Sequence, residues 1–156
     1  MVSAWQTARS VPDPELPFLT IADLGILRDV REDGDVVAVT ITPTYSGCPA
    51  MREIAADLVR RLERAGYRHV DIKTALAPPW TSDWITAEGR RKLAAAGIAP
   101  PNPGGPVPLT LTRAPVRCPR CGSADTRETA RFSATACKAL YACRECLEPF
   151  EYVKEF

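Results

Sequence analysis

Six cysteines hold most of the chemistry open to this sequence, and four of them are spaced as metal ligands. C-P-R-C-G at 118–122 and C-R-E-C-L at 143–147 form a C-x2-C…C-x2-C array with 21 residues between the pairs. Each C-x2-C turn brings two thiolates to one side of a tight loop, and two such loops complete a tetrahedron. Gly122 supplies the permissive backbone such a turn needs. Cys118, Cys121, Cys143 and Cys146 are therefore expected to hold one zinc ion. Iron in a rubredoxin-like centre is the competing occupant, because four thiolates suit both metals. With every position a thiolate no coordination site stays open, so the predicted role is structural. A tail this short has too small a core to fold securely without such a staple.

The other two cysteines are of a different kind. Cys48, in T-P-T-Y-S-G-C-P-A-M, stands just before a helix, and Pro49 suits the first helical position. That makes Cys48 the expected N-cap, where free N–H groups and the helix dipole favour a thiolate. Such a sulfur suits a soft metal, an iron–sulfur cluster or thiol exchange; the competing reading is a cysteine buried under a sheet. Cysteine catalysis needs a base, and the single histidine, His69, is expected at the start of a strand facing solvent. Cys137 lies outside both pairs and reads as a small buried hydrophobe near a hairpin tip. Asp13 and Glu15 flank Pro14, mostly as turn chemistry, with Glu15 able to approach the cysteine loop. Trp80 and Trp84 straddle T-S-D and are expected in the core, with cover for that loop or a docking face as the alternatives.

These groups need elements to position them. Residues 26–31 and 36–42 read as strands joined across E-D-G-D, where Asp33-Gly34 can turn tightly. Met51, Ile54, Ala55, Leu58, Val59 and Leu62 follow three- and four-residue spacing, predicting a helix over 49–65 that ends at Gly66. Val70, Ile72, Thr74 and Leu76 alternate as a third strand. A second helix is expected over Asp83–Ala96, closed by Gly97. Between Ile98 and Pro108 five prolines and two glycines predict a linker. The expected division is thus 1–97, an α+β domain with a small mixed sheet and two helices; 98–108, linker; and 109–156, a β-rich zinc ribbon.

Composition narrows the function. The 156 residues are 46% hydrophobic and 25% charged with net charge +1, the profile of an ordinary soluble protein. The N-terminal stretch has no apolar signal core, and no apolar run approaches the roughly 18 residues of a membrane span. A cytoplasmic location is expected, which argues against disulfides. From residue 118 onward six basic residues face six acidic ones, so no stripe tracks phosphates and nucleic-acid binding is disfavoured. A protein-docking ribbon is preferred, with Phe150, Tyr152 and Phe156 as expected exposed anchors.

Residues 11–97, with D-P-E-L-P, I-x-D-L-G-I, T-P-T-Y-S-G-C-P and P-P-W-T-S-D-W-I, resemble the SufT-like iron–sulfur-assembly domain. The tail, C-P-R-C-G-S…T-A-C-K-A-L-Y-x-C-x-x-C-x-E-P-F, is similar to that of the PaaD family of phenylacetate degradation. One departure is Ala134 where a glycine is expected before T-A-C-K-A. The resemblance implies an accessory protein, not itself an enzyme, of the multicomponent oxygenase that epoxidises phenylacetyl-CoA. It implies that Cys48 is the reactive cysteine, with Glu15 its nearby acidic residue, handling transient iron or an iron–sulfur cluster. Cys137 would be the extra cysteine of the ribbon. The implied partners are oxygenase subunits and iron–sulfur assembly proteins, with a homodimer possible; a non-catalytic structural subunit is the alternative. No 2-His-carboxylate set, di-iron helix pair or glycine-rich dinucleotide motif is visible in the chain.

Overall fold

The computed structural model describes residues 2–104 and 114–155. It is an α+β fold, as expected, and its contacts divide the chain into two compact units. One comprises Met1–Trp80 with Trp84–Gly89, the other Thr81–Asp83 with Arg90–Phe156.

The first unit carries helix α1 (Ala4–Arg9), strands β1 (Leu27–Asp33) and β2 (Val36–Ile41), helix α2 (Ala50–Arg64) and strand β3 (His69–Thr74). The sheet order is β1-β2-β3, with β1 antiparallel and β3 parallel to β2. Gly34, at φ 61°, makes the hairpin turn after Asp33. A parallel partner needs a crossover, and α2 supplies it. Val37, Val39 and Ile41 alternate inward along β2, while Ile54, Leu58 and Leu62 recur every four residues along α2. All six are almost fully buried, each contributing about 1.5–3 kcal/mol by leaving water. Gly66, at φ 105°, follows the helix end.

Two features up to residue 96 were not expected. Helix α1 is closed by a capping box, Ser3 Oγ accepting from the Gln6 amide and the Gln6 side chain accepting from Ser3 N–H. It buries only Ala4 and Ala8, too small a stripe to show as hydrophobic periodicity. The predicted helix over Asp83–Ala96 is broken into a 3-10 turn at Ser82–Trp84 and helix α3 (Ala87–Ala95). Thr86 is the reason: its hydroxyl accepts the Gly89 N–H at 2.9 Å and so starts the helix there.

The second unit holds strands β4 (Ile98–Ala99), β5 (Thr126–Ala130), β6 (Lys138–Cys143) and β7 (Pro149–Val153), in the order β4-β7-β6-β5. Ile98 and Ala99, read from sequence as linker, pair parallel with Glu151 and Tyr152 at the sheet edge. The prolines that follow are compatible with that, because an edge strand can stop at any residue. Ala99, Val116, Phe150, Tyr152 and two of the cysteines form its core.

Candidate functional site

The two C-x2-C loops meet. The sulfurs of Cys118, Cys121, Cys143 and Cys146 all lie within 4.8 Å of one another, a group able to hold a metal ion. Cys118 Sγ is 3.7 Å from Cys146 Sγ, and Cys121 Sγ is 3.6 Å from Cys143 Sγ. A tetrahedron with metal–sulfur bonds of ~2.3 Å has edges of about 3.8 Å, so the four sulfurs fit a zinc-sized ion. They are too far apart to be disulfides, whose bond is ~2.05 Å. Backbone geometry builds each loop the same way. Gly122 has φ 76° and Leu147 φ 62°, so the residue after the second cysteine is left-handed in both. The first loop meets this with glycine; the second imposes it on a leucine.

The electrostatics fit the same ion. N–H groups of Cys146 and Glu145 point at Cys143 Sγ and hold that thiol down to about 7. At Cys121 the Ser123 amide favours the thiolate, but desolvation and three neighbouring sulfurs together push the thiol up to about 12. Four crowded sulfurs resist ionising together, and a divalent cation removes that conflict by displacing their protons.

Cys48 occupies a different environment. Pro49, not Cys48, is the N-cap of α2, and Cys48 stands one residue earlier, half-buried. The expectation of a thiolate favoured by the cap position is corrected accordingly. Burial raises the Cys48 thiol most; the Ala50 N–H on its sulfur works the other way, and Glu15 raises it further. Tyr45, through its side-chain hydrogen bond, favours the thiolate, and Asp13 opposes it. Gly47, at φ 82°, and the Cys48 N–H to Tyr45 C=O bond of 3.3 Å shape the loop. Glu15 is thus among the groups whose charge raises the Cys48 thiol.

The loop that carries Glu15 is built on Asp13. Its buried Oδ1 accepts the N–H of Glu15 at 2.9 Å and of Leu16 at 2.8 Å. Sequence reasoning named Asp13 only as a turn residue and passed over Tyr45 as a partner of Cys48. An Asp-Pro step with amides two and three residues on is a legible Asx-turn signal for the first. A tyrosine three residues ahead of a cysteine carries no comparable signal.

The remaining candidates are distributed elsewhere. His69 begins β3 and is exposed, as expected. Trp80 is buried, its Nε1–H donating to the Leu24 carbonyl at 2.9 Å. Trp84 lies under the Arg28 guanidinium, 3.4 Å from its ring centre. A bulge between Leu27 and Asp29 turns Arg28 out of the β1 ladder. Cys137 is half-buried and its sulfur lies 3.1 Å from Thr135 Oγ1, so it is less enclosed than the sequence implied. Phe150 and Tyr152 are 5% and 7% exposed, which removes them as surface anchors. Tyr141 packs on both, with ring centres 5.9 and 5.4 Å away, and strand alternation points all three inward. Phe156 lies outside the described residues. Among the described residues, the large apolar groups the ribbon does expose are Phe132, Leu140 and Leu147. Among the described residues, no helix is long and apolar enough to cross a membrane.

Both parts of the chain match known families. Residues 5–72 match the iron–sulfur cluster assembly protein family, and residues 103–154 match the PaaD zinc beta ribbon domain. A protein of Escherichia coli (strain K12), named as a putative subunit of 1,2-phenylacetyl-CoA epoxidase, is 42% identical over 150 residues, covering 96% of this chain and 90% of its own length. Among solved structures, a domain of unknown function, DUF59, from Bacillus anthracis is 26% identical with a TM-score of 0.53. That match covers 58% of this chain and 87% of the Bacillus chain. An assembly-type domain, a four-cysteine ribbon behind it, and a relative alike across nearly the whole length agree, and the chain belongs to the PaaD family.

Proposed function

We propose that this chain is an accessory protein of a phenylacetyl-CoA epoxidase that matures the iron or iron–sulfur centre of its oxygenase. Cys48, with Glu15 beside it, handles the incoming iron or cluster. The ribbon formed by Cys118, Cys121, Cys143 and Cys146 holds zinc and serves as the docking module. The organisation follows the three segments 1–97, 98–108 and 109–156, and the setting is the cytoplasm with oxygenase subunits and iron–sulfur assembly proteins as partners.

The observation that carries this reading is the contrast between two sulfur environments in one chain. The tetrad is coordinatively closed, so its metal has no position left for exchange chemistry. Cys48 is half-buried, and burial together with the charges of Glu15 and Asp13 keeps it protonated more readily than an ordinary thiol. A cation arriving there replaces the thiol proton and gains a sulfur and an oxygen donor, a combination compatible with iron. The likeness to a protein named as an epoxidase subunit supplies the target.

The word "subunit" in that relative's name favours a second reading, a non-catalytic structural component of the complex. Amounts separate the two. The oxygenase subunits are expressed with limiting, graded quantities of this chain, and iron-loaded oxygenase is counted per molecule of it. More than one iron-loaded oxygenase per chain supports maturation; loading that stops at a fixed ratio, with the chain retained, supports the structural component and refutes maturation.

A further inference from the structure

The sheet of the first unit has one face open to solvent. Val37, Val39 and Ile41 occupy the buried side of β2, and alternation sends Val36, Ala38 and Thr40 to the other. Register sets a β1 residue and a β3 residue on either side of each. Arg31 and Asp71 flank Ala38, Asp29 and Lys73 flank Thr40, and Asp33 and His69 flank Val36. Sign therefore alternates along each rim, and in the Ala38 and Thr40 rows the two rims carry opposite charges. Pairs along each strand hold this pattern, Arg31 Nε to Asp29 Oδ2 at 2.8 Å and Lys73 Nζ to Asp71 Oδ2 at 3.5 Å. The rims stand open: side-chain exposure is 83% and 47% for the first pair and 66% and 60% for the second. Between the rims the small Ala38 and Thr40 floor a depression of about 220 Å³.

We propose that this face is an interface between two copies of the chain, related by a two-fold axis parallel to β2. Such an axis lays the β1 rim of one copy over the β3 rim of the other and keeps the rows in register. Arg31 then meets the partner's Asp71, Asp29 meets the partner's Lys73, Asp33 meets the partner's His69, and each contact occurs twice. The small middle column faces itself, so the backbones can approach until the rim side chains reach across. Arg31 holds Asp29 through Nε, which leaves its Nη groups for a second carboxylate. An axis across the strands would set Arg31 over Asp29 and Lys73 over Asp71 but leave the Asp33 and His69 row unmatched, so the parallel axis fits better. Two cations against three carboxylates suit neither a polyanion nor a polycation, whereas the alternating pattern complements itself. Three strands of about six residues span about 15 by 20 Å, roughly 300 Å² against the ~800 Å² per partner of a standard interface. The dimer is therefore weak and sensitive to salt. It leaves α2, on the opposite face, and the Cys48 loop leading into that helix uncovered, so the inference stands apart from the iron-handling reading.

The test is sedimentation velocity of the zinc-loaded full chain at graded concentrations up to its solubility limit, in low and high salt. Wild type is expected to show a monomer–dimer equilibrium whose dissociation constant rises about tenfold or more between about 0.05 and about 0.5 M salt. Arg31→Glu and Asp71→Arg each set like charges opposite one another at two symmetric places, and each should weaken the dimer about tenfold or more. Mixed in equal amounts, the two variants should associate as wild type does, because each reversed side chain then meets a reversed partner. The double variant Arg31→Glu/Asp71→Arg should self-associate for the same reason. Both positions are exposed, and tryptophan fluorescence checks that every variant is folded. A wild type that stays monomeric at every concentration overturns the proposal. So does a dimer indifferent to salt and to both substitutions, which would place the contact on another surface. A mixture that associates no better than either variant alone overturns the axis and with it the proposed interface.

Discussion

Cys121→Ser tests whether metal holds the ribbon together. Cys121 is the exposed member of the tetrad, so its replacement by serine disturbs little packing. What it loses is a thiolate 3.6 Å from Cys143 Sγ, in a cluster whose edges match tetrahedral zinc. Structural zinc sites contribute about 10–16 kcal/mol, so one ligand of four accounts for about 3 kcal/mol, or more than 100-fold in affinity. Among the described residues the large apolar side chains of the ribbon core are few, Val116, Phe150 and Tyr152 with Tyr141 packed against them, and cannot replace that contribution. The chain supplies its own reporters. Trp5, Trp80 and Trp84 belong to the first unit, whereas Tyr141 and Tyr152 pack together in the second. The variant, or a chelator on the wild type, is expected to abolish the Tyr141 and Tyr152 share of the near-ultraviolet dichroism, leaving that of Tyr45 and Tyr67 in the first unit, while tryptophan fluorescence stays native. Native-like tyrosine dichroism and protease resistance in metal-free protein would refute the reasoning.

Three further perturbations follow from particular contacts. Gly25→Ala places a methyl 2.6 Å from both Cβ and O of Trp84 at φ 69°, so a loss of about 2–5 kcal/mol is expected in denaturant unfolding read by tryptophan fluorescence. Leu147→Gly relieves a left-handed leucine that is 77% exposed, and the unfolding free energy of the zinc form, read by tyrosine, should rise by about 0.5–1 kcal/mol. Glu151→Gln leaves the buried Lys138 ammonium without its carboxylate at 2.8 Å and should cost about 1–3 kcal/mol. Burial opposes ionisation of Glu151, but the bond from Lys138 outweighs it and holds the carboxyl below the ordinary range. A lowered folded-state value means that this stabilisation is complete above the unfolded carboxyl's pKa and is lost as pH falls through the folded one. The gap between wild type and Glu151→Gln should therefore close in acid, and a gap constant down to pH ~3 would contradict it.

The sequence was most readable where chemistry and spacing coincide. Four cysteines at C-x2-C spacing can meet in few ways, and the sulfurs do meet. The α2 stripe and the Asp33-Gly34 turn were legible because one period and one dipeptide each specify a single geometry. Face choice was not legible in the ribbon. Phe150 and Tyr152 share a strand face by alternation, but only the partner strand, bringing Tyr141 against them, decides that the face is inward. The cap of α2 was misplaced by one residue because Pro49 suits either position, and that single step changes which group the helix amides serve. Strand β4 was hidden among prolines, since a two-residue edge strand has no period to detect. The Cys48 environment was readable only in outline, because its acidity is set by burial and the Ala50 amide, by the carboxylates of Glu15 and Asp13 more than thirty positions away, and by Tyr45.

The most direct measurement is the iron content of the oxygenase subunits after co-expression with wild-type chain, with Cys48→Ser, or with neither. The account predicts that Cys48→Ser folds, keeps its tyrosine dichroism and its zinc, and yet leaves the oxygenase as iron-poor as no accessory protein at all. Equal iron in all three preparations would contradict it and leave the chain a structural component.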